Sequence, residues 1–356
     1  MKKIIKYNLL AAALITSVWV LSSCSDWTDS ESIGIHIPSL EDQNPGLYAD
    51  YLKDLRDYKS SNHTLMFVAF DNKKDAPTKQ AEHLTALPDS IDFISLKNPN
   101  ELYPWIQQEM SDVRENKGTR MIYSINFSTF ESEWDAILKA DALESYTEEQ
   151  AREYITKRTE EMLALCDKYN YDGVTITYTG RSMVSLKEEA LKQYVGRQKT
   201  FFDTVLAWYE KNTAKILLFE GNVPFLASEN MTILTKCRYI ILMTVSSTSN
   251  GDMDVAGNWA VNSAGNLLDD TSFIVSVETV QSDDAEGVHG YFTTVDEHGN
   301  KLRSVEATAT WLGRPANGFA RSGMFVTNAQ HDYYDVDFVY RNIREAIGIM
   351  NPSPKK

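Results

Sequence analysis

Short apolar segments recur eight times along the chain, and helical patterns fill most of the gaps between them. A continuous apolar run of this kind is typical of a strand that is buried on both faces, as in a parallel sheet. Parallel strands need crossover connections, which are usually helices. The predicted strands are 63–70, 91–96, 120–127, 171–178, 214–219, 239–245, 273–277 and 323–327, and the predicted helices are 45–59, 99–115, 148–169, 186–211 and 335–347.

This alternation predicts an α/β fold, a single-domain (β/α)8 TIM barrel over residues 45–350. A doubly wound open sheet is the competing architecture, but it usually carries a glycine-rich turn after its first strand. Here Phe70 is followed by Asp71-Asn72-Lys73-Lys74, which contains no glycine. Two gaps, 246–271 and 283–322, show no clear helix, and the second contains a predicted hairpin around Glu297-His298-Gly299-Asn300.

The N-terminus has the features of an export signal. Lysines at positions 2, 3 and 6 precede the apolar run Leu9–Leu21. About 13 residues are too few for a helix to cross a bilayer, so residues 1–23 are predicted to be a signal peptide. Their end, Leu-Ser-Ser followed by Cys24, resembles a bacterial lipobox, which implies a lipid on Cys24; the alternative is an ordinary signal peptide with a chance cysteine.

Residues 24–44 are predicted to be a polar tether. Acidic residues at positions 26, 29 and 31 resemble the signal that sends Bacteroidetes lipoproteins to the outer face of the outer membrane. We therefore expect an outer-membrane protein that is lipid-anchored and exposed on the cell surface.

Charge and cysteine content exclude several classes. The net charge is −15, and the first 23 residues contribute only lysines to it, so the remainder is still more acidic. Such a surface repels phosphate backbones, which disfavours nucleic-acid binding. Cys166 and Cys237 are predicted to be buried small apolar residues rather than a disulfide, and neither has metal-ligand spacing to a histidine. No metal site and no cofactor are predicted.

The fourth predicted strand carries a recognisable motif. Residues 171–180 read Tyr-Asp-Gly-Val-Thr-Ile-Thr-Tyr-Thr-Gly. This segment resembles the fourth-strand signature of glycoside hydrolase family 18, the chitinases and endo-β-N-acetylglucosaminidases, which reads aromatic-Asp-Gly-aliphatic-Asp-aliphatic-Asp-aromatic-Glu. Thr175 and Thr177 stand where the family has aspartates, and Thr179 stands where it has the catalytic glutamate.

The resemblance implies a chemistry that these threonines cannot perform. Enzymes of this family use the 2-acetamido oxygen of the substrate as nucleophile, while the glutamate protonates the leaving oxygen and an aspartate supports the acetamido group. A general acid needs a pKa near the working pH, and a threonine hydroxyl is far too weak an acid. Thr177 cannot supply the negative charge that offsets a cationic intermediate. We therefore expect that hydrolysis has been lost.

A barrel of this type carries its site at the carboxyl ends of its strands. Sugars present apolar C–H faces that pack on aromatic rings, and hydroxyls that need amide or hydroxyl partners. On this basis the predicted ligand-binding residues are Asn126, Trp134, Tyr178, Asn222, Thr244, Glu278, Asn328 and Tyr333.

The expected function, which the resemblance implies, is a non-catalytic surface glycan-binding lipoprotein of a polysaccharide-utilisation system. Its ligand would contain N-acetylglucosamine, as in N-glycans or chitin-like oligomers, and its partner would be a transporter complex of the same system. One alternative is an active endo-β-N-acetylglucosaminidase or chitinase that uses a carboxylate from elsewhere, such as Glu220 or Glu278. Another is a structural partner of the transporter without any sugar site.

The lipid anchor can be tested with Cys24→Ala. We expect the parent chain to fractionate with membranes and to be cleaved by protease added to intact cells, and the variant to leave the membrane fraction. A Cys24→Ala chain that still sediments with membranes would contradict the lipid anchor. Protection of the parent from external protease would contradict the surface location alone.

Overall fold

The computed structural model describes residues 40–352, except for positions 74, 141–145, 269–271, 282–283, 285–286, 317 and 335–336. The predicted signal peptide, Cys24 and most of the predicted tether lie outside the described residues. The chain divides into two units, Met1–Asp50 and Tyr51–Lys356. In the first unit, residues 40–43 of the predicted tether form helix α1 (Leu40–Gln43), and α2 (Pro45–Ser60) begins directly after it.

The second unit contains a closed barrel of parallel strands, which confirms the (β/α)8 prediction. Its strand order is β1-β2-β3-β4-β5-β6-β7-β10, and β10 pairs with β1 to close the ring. The barrel strands are β1 (Leu65–Phe70), β2 (Phe93–Leu96), β3 (Arg120–Asn126), β4 (Gly173–Tyr178), β5 (Ile216–Gly221), β6 (Tyr239–Leu242), β7 (Ser272–Val277) and β10 (Ala320–Val326).

The connecting helices include three that the sequence reading did not predict. The predicted ones are found as α3 (Pro104–Lys117), α5 (Glu148–Lys168), α6 (Glu188–Tyr209) and α9 (Arg341–Met350). The additional ones are α4 (Phe127–Ala140), α7 (Asn250–Ala264) and α8 (Ser304–Leu312). The expectation that 246–271 lacks a helix was wrong, because Ser249 and Asp252 form a reciprocal capping box that starts α7 despite its Gly and Asn content.

Between β7 and α8 the chain makes an excursion that contains the predicted hairpin. Its strands β8 (Tyr291–Val295) and β9 (Lys301–Arg303) pair antiparallel around Glu297-His298-Gly299-Asn300. No helix within the described part of the chain is long and apolar enough to cross a membrane. Cys166 and Cys237 are both buried free thiols, as predicted, and burial raises the pKa of Cys166 to about 12.

Alternation along each strand divides the core into an inner and an outer part. The inner part, inside the barrel, is built from apolar side chains of seven strands: Leu65, Phe67, Ala69, Phe93, Ile122, Leu218, Ile241, Ile274 and Phe325. The outer part lies between strands and helices and includes Val174, Ile176 and Tyr178. Strand β4 therefore gives its apolar residues to the outer core and presents Gly173, Thr175 and Thr177 to the inside.

Asp172, the aspartate of the Tyr-Asp-Gly opening, holds the lower end of β4 in place. Its Oδ2 accepts a hydrogen bond of 2.7 Å from the Met121 amide on β3, and its Oδ1 lies 3.0 Å from Arg114 Nε. The backbone of Asp172 also bonds to both neighbours, donating to Met121 O at 2.8 Å and accepting from Ile216 N at 2.9 Å. This aspartate is therefore a structural residue at the amino-terminal end of the barrel strands.

Replacing Asp172 tests this role. Asp172→Ala leaves the Met121 amide and the Arg114 guanidinium without their acceptor, so we expect the free energy of unfolding to fall by about 2–3 kcal/mol. Asp203→Ala breaks a solvent-exposed pair with Lys199, 2.6 Å long, and should change stability by less than ~0.5 kcal/mol. Urea unfolding monitored by circular dichroism measures both. Equal stability of the two variants would show that Asp172 does not hold β4.

Candidate functional site at the barrel mouth

The motif threonines lie at the carboxyl end of β4. Thr175 and Thr177 are buried and belong to the inward-facing set, whereas Thr179 follows the strand and is exposed. Thr177 stands between Asn126 on β3 and Glu220 on β5 in the sheet register. The described residues therefore place no carboxylate on β4 at the mouth.

Glu220 on β5 supplies a carboxylate beside this position. Thr177 Oγ1 donates a hydrogen bond of 3.2 Å to Glu220 Oε2. Burial raises the pKa of Glu220 above its ordinary value, and the hydrogen bond from Thr177 opposes that shift. An enclosed carboxyl group with a raised pKa is a feature of functional sites as well as of buried structural positions.

A cavity of about 750 Å³ opens above β5, β6 and β7. Its floor contains Glu220, Met243 and Ser276, and the loop after β6 contributes Val245 and the hydroxyl residues 246–248. The excursion between β7 and α8 covers it with Val288, His289, Gly290, Tyr291, Phe292 and Thr293. The volume lies within the usual range for small-molecule sites, roughly 300–1,000 Å³. The pocket thus begins at β5, the neighbour of β4, and extends along the mouth toward β7.

Glu278 joins the floor of this cavity to its cover. It lies at the end of β7, and its Oε2 is 3.0 Å from His289 Nδ1. Ser304 Oγ donates a hydrogen bond of 2.7 Å to the Glu278 carbonyl, so the start of α8 is also bound here. The structure therefore places Glu220 and Glu278 in one cavity, together with a histidine. Among the described residues no group of three potential ligands is arranged to hold a metal ion.

Four of the predicted ligand residues use their polar groups on the protein backbone. Asn328 Oδ1 accepts from Thr279 N at 2.7 Å and its Nδ2 donates to Thr279 O at 3.0 Å, which extends the pairing of β7 and β10. Thr244 Oγ1 donates to Ser276 O at 2.8 Å. Asn222 Nδ2 donates to Thr179 O at 2.7 Å, and Asn126 Oδ1 accepts from Ser128 N at 2.9 Å at the start of α4. These residues shape the rim of the barrel.

Tyr178 does not face the mouth, contrary to the prediction. It follows the inward-facing Thr177 and so points outward, where it is fully buried. Its hydroxyl lies 2.8 Å from Tyr194 Oη and donates to Phe225 O at 3.1 Å. Two residues after Tyr178 the chain has Gly180, whose φ is +61°. Glycine is favoured at this position, because a Cβ there would come within 2.5 Å of the Tyr178 ring.

The predicted aromatic wall is also placed differently. Trp134 on α4 is only 5% exposed, and its ring contacts Tyr146 and Tyr154. Tyr333 is half-buried and packs edge-on against Tyr334 and Tyr340. None of these rings lines the 750 Å³ cavity, whose aromatic residues are Tyr291 and Phe292. Glu278 is the one residue of the predicted set that lines it.

Sequence reasoning missed the residues that cover the cavity. The hairpin signal predicted β8 and β9 correctly, but nothing in the local pattern indicated that the segment before β8 folds over the mouth. His289 and Tyr291 were for this reason not among the predicted ligand residues. Glu220 was named as a catalytic alternative and was not among the predicted ligand residues.

Comparison with known proteins decides the family. The model of glycoside hydrolase family 18, BT1044-like, matches residues 28–349. The chain belongs to glycoside hydrolase family 18. No curated protein matches it. Among solved structures it is similar to a selenomethionine form of a BT1044 variant, with a TM-score of 0.62 and 17% identity over 88% of this chain and 96% of that one.

A second structural relative is an apo endo-β-N-acetylglucosaminidase from Cordyceps militaris. It has a TM-score of 0.55 and 15% identity, over 85% of this chain and 96% of the other. At these identities the two structures establish a shared fold. Within the family, this member departs from the fourth-strand signature at Thr175, Thr177 and Thr179.

Replacing Tyr178 separates a structural role from ligand contact. Tyr178→Phe leaves Tyr194, Phe225 O and Gln198 without a shared hydroxyl, so we expect a loss of about 1–3 kcal/mol in the free energy of unfolding. Glycan affinity, measured by calorimetry at a temperature at which the variant is still folded, should not change. Tyr334→Phe, at a ring that is 64% exposed, should alter neither quantity. If Tyr178→Phe left stability unchanged and weakened glycan binding, Tyr178 would have to be regarded as a ligand-binding residue.

Proposed function

We propose that this family 18 barrel binds glycans containing N-acetylglucosamine at its mouth without hydrolysing them. The observation that carries the proposal is the absence of any described carboxylate on β4, where the family signature has its acid. Thr177 and Thr179 carry aliphatic hydroxyls, which are far too weak as acids to protonate a glycosidic oxygen. Ground-state binding of a neutral sugar does not require that acid.

The cavity over β5, β6 and β7 has the mixed character that a sugar site needs. Val245, Val288 and Tyr291 give apolar surface for pyranose C–H faces. The serines and threonines of residues 246–248, together with Thr293, supply hydroxyls at its edge. This combination supports recognition of a glycan.

The cellular setting is part of the proposal. A lipid on Cys24 would anchor the chain to the outer membrane, and the acidic residues at 26, 29 and 31 would direct it to the cell surface. There it would hold glycans for a transporter complex of the same polysaccharide-utilisation system. The behaviour of Cys24→Ala tests the anchor independently of any glycan.

Binding is tested by calorimetric titration of the full chain, purified in detergent, with N-acetylglucosamine tetramer and with a released N-glycan. Tyr291→Ala removes aromatic surface from the cavity, so we expect a loss on the order of 1–3 kcal/mol, or roughly 5- to 150-fold in affinity. Tyr334→Ala is the matched control, since its exposed ring lies outside the cavity. If neither glycan binds the parent, or if Tyr334→Ala weakens binding as much as Tyr291→Ala, the proposed site is wrong.

A second candidate function is hydrolysis by an unusual carboxylate, and one observation favours it. Glu220 lies in the cavity with a pKa raised by burial, as a general acid requires. Against it, β4 offers no described carboxylate to support a reacting acetamido group. Release of reducing sugar from the same samples decides between the two. Turnover above about 1 s⁻¹ that persists through repurification and disappears in Glu220→Gln or Glu278→Gln would establish the enzyme instead.

A further inference from the structure

The charged groups of the mouth cavity are unevenly partnered. Glu278 faces His289 at 3.0 Å, and Lys301 Nζ donates to Gly287 O at 2.9 Å. Glu220, in contrast, has no charged partner among the described residues. Among the described residues no lysine, arginine or histidine forms an ion pair with it, and its described hydrogen bond is the one from Thr177 to Oε2.

The second oxygen of Glu220, Oε1, is therefore left without a described donor. The side chain is largely enclosed, and burial alone raises its pKa, with no charged neighbour contributing to the shift. A carboxylate that is largely enclosed and has no cation beside it is costly. Here the unpartnered oxygen belongs to a residue that lines an open cavity rather than a closed core.

A ligand cation would supply what the protein does not. An ammonium group is a compact donor that forms charge-assisted hydrogen bonds with a carboxylate, and such bonds are shorter and stronger than those of a neutral amide. On a pyranose ring, the free amino group of a glucosamine unit is such a cation. Acetylation of that nitrogen converts it into a neutral amide with a single N–H.

The neighbouring threonine fits the same preference. Thr177 occupies a position where the family signature has a carboxylate, and it donates its hydroxyl to Glu220. The carboxylate beside Thr177 is thus on β5, in a cavity that Val245 and Tyr291 also line. A glycan bound in this cavity would therefore lie against Glu220 as well as against apolar side chains.

We propose that the mouth cavity selects glycans that carry a free amino group, as in partially deacetylated chitin, through an ion pair between the sugar ammonium and Glu220. This inference rests on the proposed glycan-binding function and names its ligand class. It assigns Glu220 as the residue that discriminates a glucosamine unit from an N-acetylglucosamine unit.

The test compares two tetramers, one of glucosamine and one of N-acetylglucosamine, by calorimetric titration of the full chain at pH 7. We expect the glucosamine tetramer to bind about tenfold more tightly, because a charge-assisted hydrogen bond replaces a neutral one. Glu220→Gln should remove that preference, so that the two tetramers bind the variant with equal affinity. Glu297→Gln, which removes an exposed carboxylate at the hairpin outside the cavity, should retain it.

The outcomes separate the inference from the function beneath it. Equal binding of the two tetramers by the parent, or a preference that survives Glu220→Gln, would overturn the ammonium site and leave glycan binding intact. Failure of both tetramers and of the N-glycan to bind would overturn both. The comparison within the parent needs no variant, so it decides the inference even if Glu220→Gln folds poorly.

Discussion

The placement of β4 depends on the carboxylate of Asp172. It accepts hydrogen bonds from the Met121 amide and from Arg114, and so fixes β4 against β3 at the amino-terminal end of the barrel strands. Side chains alternate along a strand, so a slip of one residue would exchange its two faces. With the register held, Thr175 and Thr177 face the interior, and Val174, Ile176 and Tyr178 pack against the helices. The polar character of the mouth on this side thus follows from an interaction at the other end of the strand.

The closed barrel could be predicted from the sequence because buried parallel strands need continuous apolar runs, and those runs are visible. Helix α7 could not be predicted, because Gly251, Gly257 and several asparagines obscure its helical pattern of apolar residues. The helix is stabilised by its capping box and by the burial of Met253 and Ala260. The outward direction of Tyr178 was open to prediction: it lies between two residues expected to face inward. The hydrogen bonds of Asn222 and Asn328 to the backbone could not be predicted, because a side-chain amide can hydrogen-bond equally well to a ligand or to a neighbouring strand.

The mouth differs from the family signature in where its charge lies. The signature concentrates carboxylates on the fourth strand, whereas here the two carboxylates of the cavity come from β5 and the end of β7. Tyr291 and His289, from the excursion that follows β7, line the same cavity, and His289 contacts Glu278. The β4 threonines and the cavity are neighbours, because Thr177 donates its hydroxyl to Glu220 on the cavity floor. The loops at the carboxyl face of such a barrel vary independently of the strands, so a cavity can be shaped there by residues outside the fourth-strand signature.

The excursion between β7 and α8 leaves and rejoins the barrel at almost the same place. Ser304 Oγ bonds to the Glu278 carbonyl at 2.7 Å, and Ser304 N bonds to Gly290 O at 2.8 Å. A segment whose ends are held together can change in length at small entropic cost, since loop closure depends only weakly on the number of residues enclosed. The cover of the cavity is consequently an exchangeable part. Replacing the part of this segment that lines the cavity, residues 287–293 and 301, would therefore change the shape of the cavity without rebuilding the sheet beneath it.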